Sequence, residues 1–286
     1  MRKTIIAASL ASVAFALPNF AVAQTAAPAA PAAAPTPPYT FTGNMALVSD
    51  YRFRGISQTF KQPAIQGGFD FAHESGFYVG NWNSNVNSGA GFPGGSIEMD
   101  FYGGWKKTWD DWGLDLGGIY YYYPGTDANG TNFPANPKNG NTHTGKVSNG
   151  ELYIGGSWKW ISLKYYQGVS DYFSLPDTSG SHYIDLSGTY DLGDGWGIVG
   201  HVGSFKLKNW DAGINNSTKG NYTDWKLGVT KDLSGWILGA AYIDTSAKGS
   251  CSGNVGFYCF GNSASGASKF KDASSGTVVF SVSKTF

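Results

Sequence analysis

From Ile97 to Lys106 the chain alternates strictly. Ile97, Met99, Phe101 and Trp105 fall on one parity, and Glu98, Asp100, Tyr102 and Lys106 on the other. A period of two belongs to a strand, and two faces this different predict two environments, lipid on one side and water on the other. His182 to Leu192 repeats the pattern, with Ile184, Leu186, Tyr190 and Leu192 opposite Asp185, Ser187 and Thr189. So does Tyr222 to Thr230, with Trp225, Leu227 and Val229 opposite Asp224 and Lys226. Beyond the first residues no uninterrupted apolar segment is long enough for a transmembrane helix, so the chain spans as strands or not at all. The template predicts an all-β fold, a transmembrane antiparallel β-barrel of about 12 strands, an even number as single-chain barrels require. The expected strands run approximately over 40–50, 63–73, 77–86, 96–107, 112–123, 148–159, 161–170, 182–192, 196–205, 222–232, 235–245 and 276–286.

The connections between these segments alternate in length. Short turns fall at Glu74-Ser75-Gly76, Asp110-Asp111, Trp160, Gly193-Asp194-Gly195 and Ser234. Longer loops fall at 51–62, 87–95, 124–147, 171–181, 206–221 and 246–275. Barrels of this kind have short periplasmic turns and long extracellular loops, which predicts periplasmic termini. Six tryptophans, Trp109, Trp112, Trp158, Trp160, Trp196 and Trp236, flank the expected periplasmic turns, where an aromatic girdle belongs. A soluble β-sandwich would explain the tryptophans as buried, but not the alternation of loop length.

The ends of the chain change the picture from a barrel to an exported one. Arg2 and Lys3 precede an apolar run from Ile5 to Leu17 and the small-residue site Ala21-Val22-Ala23. That reads as a signal peptide over residues 1–23, cleaved before Gln24. Residues 24–39 form an Ala/Pro-rich leader, and 40–286 the barrel. An exported chain that crosses as strands is expected in the bacterial outer membrane, with its lipid as the first partner. In the last segment Val278, Phe280, Val282 and Phe286 share one parity. Phe280, Val282 and the aromatic final residue Phe286 form the expected signal for barrel-assembly machinery. Lys284 interrupts that face, and near an interface it can snorkel.

Composition agrees. Gly accounts for 41 of 286 residues, about double the usual share of roughly 7%, while aromatics reach 16% and charged residues only 14%. Without Arg2 and Lys3 the 20 basic residues fall to 18 against 20 acidic ones, a charge of −2. Such a chain offers no basic face, so no nucleic-acid partner is expected. Cys251 and Cys259 share one Gly/Ser-rich stretch of an exported chain, which points to a disulfide closing a small loop. Free thiols or a metal site are the alternatives, and no His sits nearby.

Val48-Ser49-Asp50-Tyr51-Arg52-Phe53-Arg54-Gly55-Ile56-Ser57 resembles a proteobacterial family of outer-membrane proteins classed as porins of the TorF type. Further segments look like that family: Ala64-Ile65-Gln66-Gly67-Gly68-Phe69-Asp70, Gly76-Phe77-Tyr78-Val79-Gly80-Asn81-Trp82, Ile97-Glu98-Met99-Asp100-Phe101-Tyr102-Gly103-Gly104 and Tyr122-Tyr123-Pro124-Gly125. The resemblance covers most of the mature chain and is sharpest in its first half. It implies a small barrel and a channel, and it carries over no functional residue.

Other chemistry weighs little. Gly195-Trp196-Gly197-Ile198-Val199-Gly200 matches a dinucleotide fingerprint, yet it enters a strand from a turn where that fingerprint needs a helix. The sequons at Asn129, Asn215, Asn216 and Asn221 read as loop residues of a bacterial export product. His73, His143, His182 and His201 show no metal-ligand spacing. Ser181-His182 is the sole rim candidate for a hydrolase, and no Gly-x-Ser-x-Gly elbow exists, so neither catalysis nor a cofactor is expected.

The inward parity is more informative. Pore-lining candidates are Arg52, Arg54, Asp70, Glu98, Asp100, Asp115, Glu151, Lys164, Asp185, Asp224 and Lys226. Glu98, Asp100, Glu151, Asp185 and Asp224 fall in the extracellular half. Arg52 and Arg54 share lumen parity with Asn44 and Asp50 at the outer end of the first strand. The expectation is an acidic upper vestibule facing two arginines, a transverse field that orients permeating solutes. Alternatively these groups pair with one another and with Lys106, Lys159, Lys164 and Lys226, filling a barrel whose twelve strands suit either state. The two functional readings are passive diffusion of small hydrophilic solutes, or a non-conducting scaffold whose long loops bind a partner or surface.

Overall fold

Inward polar and outward apolar side chains can coexist on one strand only if the wall it joins closes on itself. The computed structural model describes residues 37–129, 135–136, 138–210, 220–252 and 256–286, and over these the wall is closed. The expected signal peptide, the leader up to residue 36, and Asn215 and Asn216 lie outside the described residues.

The strands are β1 (Tyr39–Val48), β2 (Arg52–Phe53), β3 (Ile56–Ser57), β4 (Ala64–His73), β5 (Phe77–Asn85), β6 (Ile97–Trp109), β7 (Trp112–Tyr122), β8 (Ser148–Trp158) and β9 (Ile161–Gly168). They continue with β10 (His182–Gly193), β11 (Trp196–Lys206), β12 (Tyr222–Leu233), β13 (Trp236–Thr245), β14 (Cys259–Gly261), β15 (Phe270–Asp272) and β16 (Thr277–Thr285). Twelve of them make one antiparallel barrel in which β4 to β13 pair in sequence and β16 closes the ring between β13 and β1. Each of the twelve expected spans overlaps one wall strand, with ends that differ by up to two residues. The sequence pattern did not signal the two short ribbons, β2–β3 and β14–β15, which lie in long loops.

Exposure follows parity along the wall. On β12, Trp225, Leu227 and Val229 are 42%, 58% and 47% exposed, whereas Asp224 between the barrel walls is 2% exposed. The outer face is therefore an apolar belt that only lipid can solvate. Asn81 and Asn83 are the departures on β5. They face outward but donate to the carbonyls of Asp100 (2.9 Å) and Gly67 (3.3 Å), so the wall itself takes up their N–H donors.

Short hairpins pin the register. Asp194 and Gly195 (φ 51° and 75°), and Ser234 and Gly235 (φ 56° and 88°), both place two consecutive residues in the left-handed region. Such turns match the twist of the strands they join. All six girdle tryptophans are exposed beside the short turns. Lys159, Lys231 and Lys284 lay their ammonium groups over Trp158, Trp196 and Trp236 at 4.7, 4.9 and 4.9 Å. The lysine that interrupts the last apolar face is thus absorbed by a tryptophan at the membrane rim.

The barrel seam runs between the chain ends. Five register pairs join β1 to β16, from Asn44↔Thr285 to Val48↔Ser281. Phe286 extends the ladder by donating its N–H to the Gly43 carbonyl (2.9 Å) and accepting from the Gly43 N–H (2.7 Å). A Cβ at Gly43 would lie 2.9 Å from the Phe286 ring, so glycine makes room for that ring on the wall.

Leu227→Arg, at mid-depth on the lipid face, is expected to destabilise the folded barrel by about 2–4 kcal/mol, whereas Leu233→Arg beside a short turn costs about 0–1 kcal/mol. Urea titration of vesicle-inserted protein, read by tryptophan fluorescence, measures the difference.

Candidate functional site

The barrel interior divides into two tiers, and the loop after β1 separates them from the long-loop rim. That loop turns inward instead of extending β1. Arg54 and Gly55, with φ of 46° and 80°, fold β2 against β3 through Arg52↔Ser57 and Phe53↔Ile56. Glycine is required at the tip because a Cβ at Gly55 would lie 2.4 Å from Thr245 Cγ2 and 2.8 Å from Asp224 Cβ. The hairpin therefore crosses the lumen and abuts β12 and β13.

Its base is held at Asp50, which accepts from Arg52 Nε (2.6 Å) and Ser57 Oγ (2.6 Å). Arg52 Nη1 then donates to the carbonyls of Gly55, Ala273 and Ser275, tying the hairpin to the segment before β16. At the tip, Arg54 makes a two-pronged contact with Glu151 on β8, Nη1 to Oε1 at 3.0 Å and Nη2 to Oε2 at 2.7 Å. Its guanidinium lies 4.8, 5.3 and 4.3 Å from the ring centres of Phe53, Tyr166 and Tyr183. Burial opposes the charge on Arg54, and the Glu151 carboxylate outweighs it, so the pKa of Arg54 moves up.

Beside the plug, Tyr51 donates to Glu98 (3.1 Å), and Glu98 and Asp100 are 1% and 0% exposed. Glu98, Asp100, Glu151, Asp185 and Asp224 do all point inward, but none is more than 4% exposed. The open acidic vestibule is thus corrected to a packed upper tier. Arg52 and Arg54 belong to an inward hairpin and not to the end of β1, and each is already paired, with Asp50 and Glu151.

The lower tier, toward the short turns, is looser. Asp70, Asp115 and Lys106 are half-buried there. Asp115 accepts from Tyr78 (2.6 Å) and Lys164 Nζ (2.7 Å), and Lys164 lies over the Tyr153 ring at 4.4 Å. Asp70 accepts from Tyr102 (2.6 Å) and Asn44 (3.3 Å). A Cβ at Gly117 would lie 2.5 Å from Tyr153 Oη, so that ring crosses the wall where no side chain stands. Lys159 stays outside this network, on an exposed contact with Asp111 at 3.8 Å.

One interior residue escaped the sequence reading. His201 on β11 has Nε2 2.6 Å from Asp224 Oδ2 and Nδ1 3.0 Å from Asp185 Oδ2, with Lys226 on the neighbouring strand facing the same two carboxylates. Tyr183 adds a hydroxyl that donates to Asp224 (2.9 Å). Ser187 sits 3.3 Å from His201 Nδ1, but its hydroxyl donates to Asp185, and both ring nitrogens face carboxylates. The Ser187 hydroxyl is thus committed to a carboxylate, and the cluster is a polar bridge across β10, β11 and β12. The turn at Asp194–Gly195 alone did not reveal it, because the register shifts by one residue between Asp191 and Gly193 before Ser187 comes opposite His201.

The remaining candidates separate. Ser181 donates to the Thr178 carbonyl (2.6 Å) while His182 packs beside the Tyr165 ring. Gly195 to Gly200 forms a turn and the start of β11. Cys251 and Cys259 are disulfide-bonded with Cα atoms 5.2 Å apart. Among the described residues no group of His, Cys, Asp and Glu has the geometry of a metal site.

A closed wall with an apolar belt outside and charged side chains inside defines a membrane-spanning β-barrel. The chain belongs to the family described as "Bacterial protein of unknown function (Gcw_chp)", which it matches over residues 32–286. No curated protein matches it significantly. Among solved structures it is similar to the NanC porin, at 11% identity over 86% of this chain and 99% of that one, with a TM-score of 0.48. It is also similar to OmpT of Vibrio cholerae (11% identity, 87% and 97% covered, TM-score 0.38) and to OprD from Pseudomonas aeruginosa (9%, 82% and 61%, TM-score 0.36). Likenesses this distant transfer neither register nor residue roles.

Glu151→Ala strands the Arg54 charge in the upper tier and is expected to cost about 3–5 kcal/mol. Arg54→Met combined with Glu151→Leu should restore most of that loss, since no charge is then left unpaired. Urea midpoints of the vesicle-inserted single and double variants measure the recovery.

Proposed function

We propose that the chain is exported through its cleaved signal peptide to the outer membrane, where it lets small hydrophilic solutes diffuse passively through the barrel. The short turns then face the periplasm and the long loops the outside, and barrel-assembly machinery reads Phe280, Val282 and Phe286 at the closing seam. The observation that carries this reading is the lower tier. Asp70, Lys106 and Asp115 stay partly solvent-accessible inside a closed wall, a polar passage of the kind that a lipid-facing scaffold does not need. The TorF-type motifs point to the same class.

The upper tier determines the state. With the β2–β3 hairpin seated, the path is shut, so conduction requires the Arg54–Glu151 contact to part. Full burial of Glu98, Asp100 and Glu151 favours the second reading, a non-conducting barrel that displays its loops.

Planar-bilayer recordings separate the two. Wild-type protein is expected to give rare or small current steps, and Arg54→Ala with Glu151→Gln larger and more frequent ones. In that opened variant, Glu98→Lys with Asp100→Lys should move the reversal potential toward anion preference. If neither the wild type nor the opened variant produces discrete steps, and liposomes fail to swell in sugars, the channel reading falls.

A further inference from the structure

Above the plug, on the long-loop side, the chain leaves a half-enclosed cavity of about 540 Å³. Its walls come from five segments separated in sequence, represented by Phe53, Phe92, Phe173, Tyr222, Tyr258 and Phe260. Among the described residues no Asp, Glu, Lys, Arg or His lines it. We propose that this cavity is a binding site for an uncharged small molecule built of about two or three rings, a volume within the usual range of ligand pockets.

Three features support a built site. First, the rings are fixed by one another. Phe92 stacks on Tyr123 at 4.1 Å, Phe53 meets Phe173 edge-on at 5.6 Å, and Phe257 meets Tyr258 edge-on at 4.9 Å. A wall held this way offers its apolar faces without having to order on binding. Second, Phe173 is held in the left-handed region at φ 45°, ψ 45°, and Ser174 follows at φ 60°. A bulky residue adopts that conformation only where its surroundings impose it, and here the result is a phenyl ring presented to the cavity.

Third, two polar groups of the lining are already committed. Gln58 Nε2 donates to the Ile56 carbonyl (2.9 Å), and the Tyr258 hydroxyl donates to the Gly220 carbonyl (2.6 Å). A sugar would lose water here without finding those donors, and an ion would lose it without finding a counter-charge. Ring stacking and apolar contact are what the cavity offers, so the occupant is uncharged and ring-containing. Phe53 is shared, since its ring also lies against the Arg54 guanidinium, so an occupant touches the plug directly. The site stands whether or not the lumen conducts.

The test is equilibrium dialysis of 2-naphthol against the full chain in lipid nanodiscs, with empty nanodiscs as background and naphthalene-2-sulfonate and glucose as comparators. Saturable binding of 2-naphthol is expected, with the sulfonate at least tenfold weaker and glucose undetectable. Ala264→Trp and Ala267→Trp, which fill the cavity, should each weaken binding at least tenfold, with folding checked by heat-modifiable migration in gels. Saturation-transfer NMR on the wild type gives a readout that needs no variant and should show contact with 2-naphthol protons. The proposal is overturned if uptake equals that of empty nanodiscs, if the sulfonate binds as well as 2-naphthol, or if folded filling variants bind unchanged. Because dialysis does not depend on current, a failed channel and a failed site give different results.

Discussion

The closure of the hydrogen-bond ladder is the constraint on which everything else rests. Inside hydrocarbon an unpaired backbone N–H or carbonyl has no water to turn to, so a wall of strands must end where it began. Here that requirement falls on the β1–β16 seam, and the terminal Phe286 completes it through its two backbone bonds to Gly43. The final residue therefore has a structural role in the finished barrel. The same glycine that lengthens the ladder also clears the space for the ring.

Closure then dictates the interior. Twelve strands enclose more space than their own inward side chains fill, and this chain fills the surplus in two different ways. The lower tier uses wall residues, with tyrosines lying across glycine positions and a Lys164–Asp115 contact that only the Asp115 side leaves partly exposed. The upper tier uses a piece of loop. Because Arg54 and Glu151 side chains are only 5% and 1% exposed, their attraction is barely screened, while Asp115 at 24% still feels solvent. Salt should therefore act on the two tiers unequally.

The wall was legible in the sequence because lipid and water impose a period of two that no other demand overrides, as on β6 and β12. The plug was not, for the same reason. Arg52 and Arg54 kept the alternation of β1, so they read as its extension, although Arg54-Gly55 sits where a tight turn would need a left-handed residue. Nothing local could name Glu151 as the partner, 97 positions away. His201 is the intermediate case. Its isolation in sequence hid it, and the register shift between Asp191 and Gly193 kept the short turn from revealing Ser187 opposite it, while Asp224 arrives from β12 across a long loop. The aromatic mouth had no signal at all, since its rings come from loops whose spacing carries no period.

The energetics of the Arg54–Glu151 pair bear directly on the proposed opening of the barrel. Desolvating both ions opposes their attraction, so the intact pair adds little net stability to the seated hairpin, while a seated hairpin with one partner missing is strongly penalised. Release that carries Arg54 and Glu151 into water together avoids that penalty, because each ion regains its hydration as the contact is lost. What resists opening is then chiefly the apolar packing of Phe53 against Tyr121 and Phe173, at 5.5 and 5.6 Å between ring centres. The charges give the closed state its geometry, and the rings give it its strength.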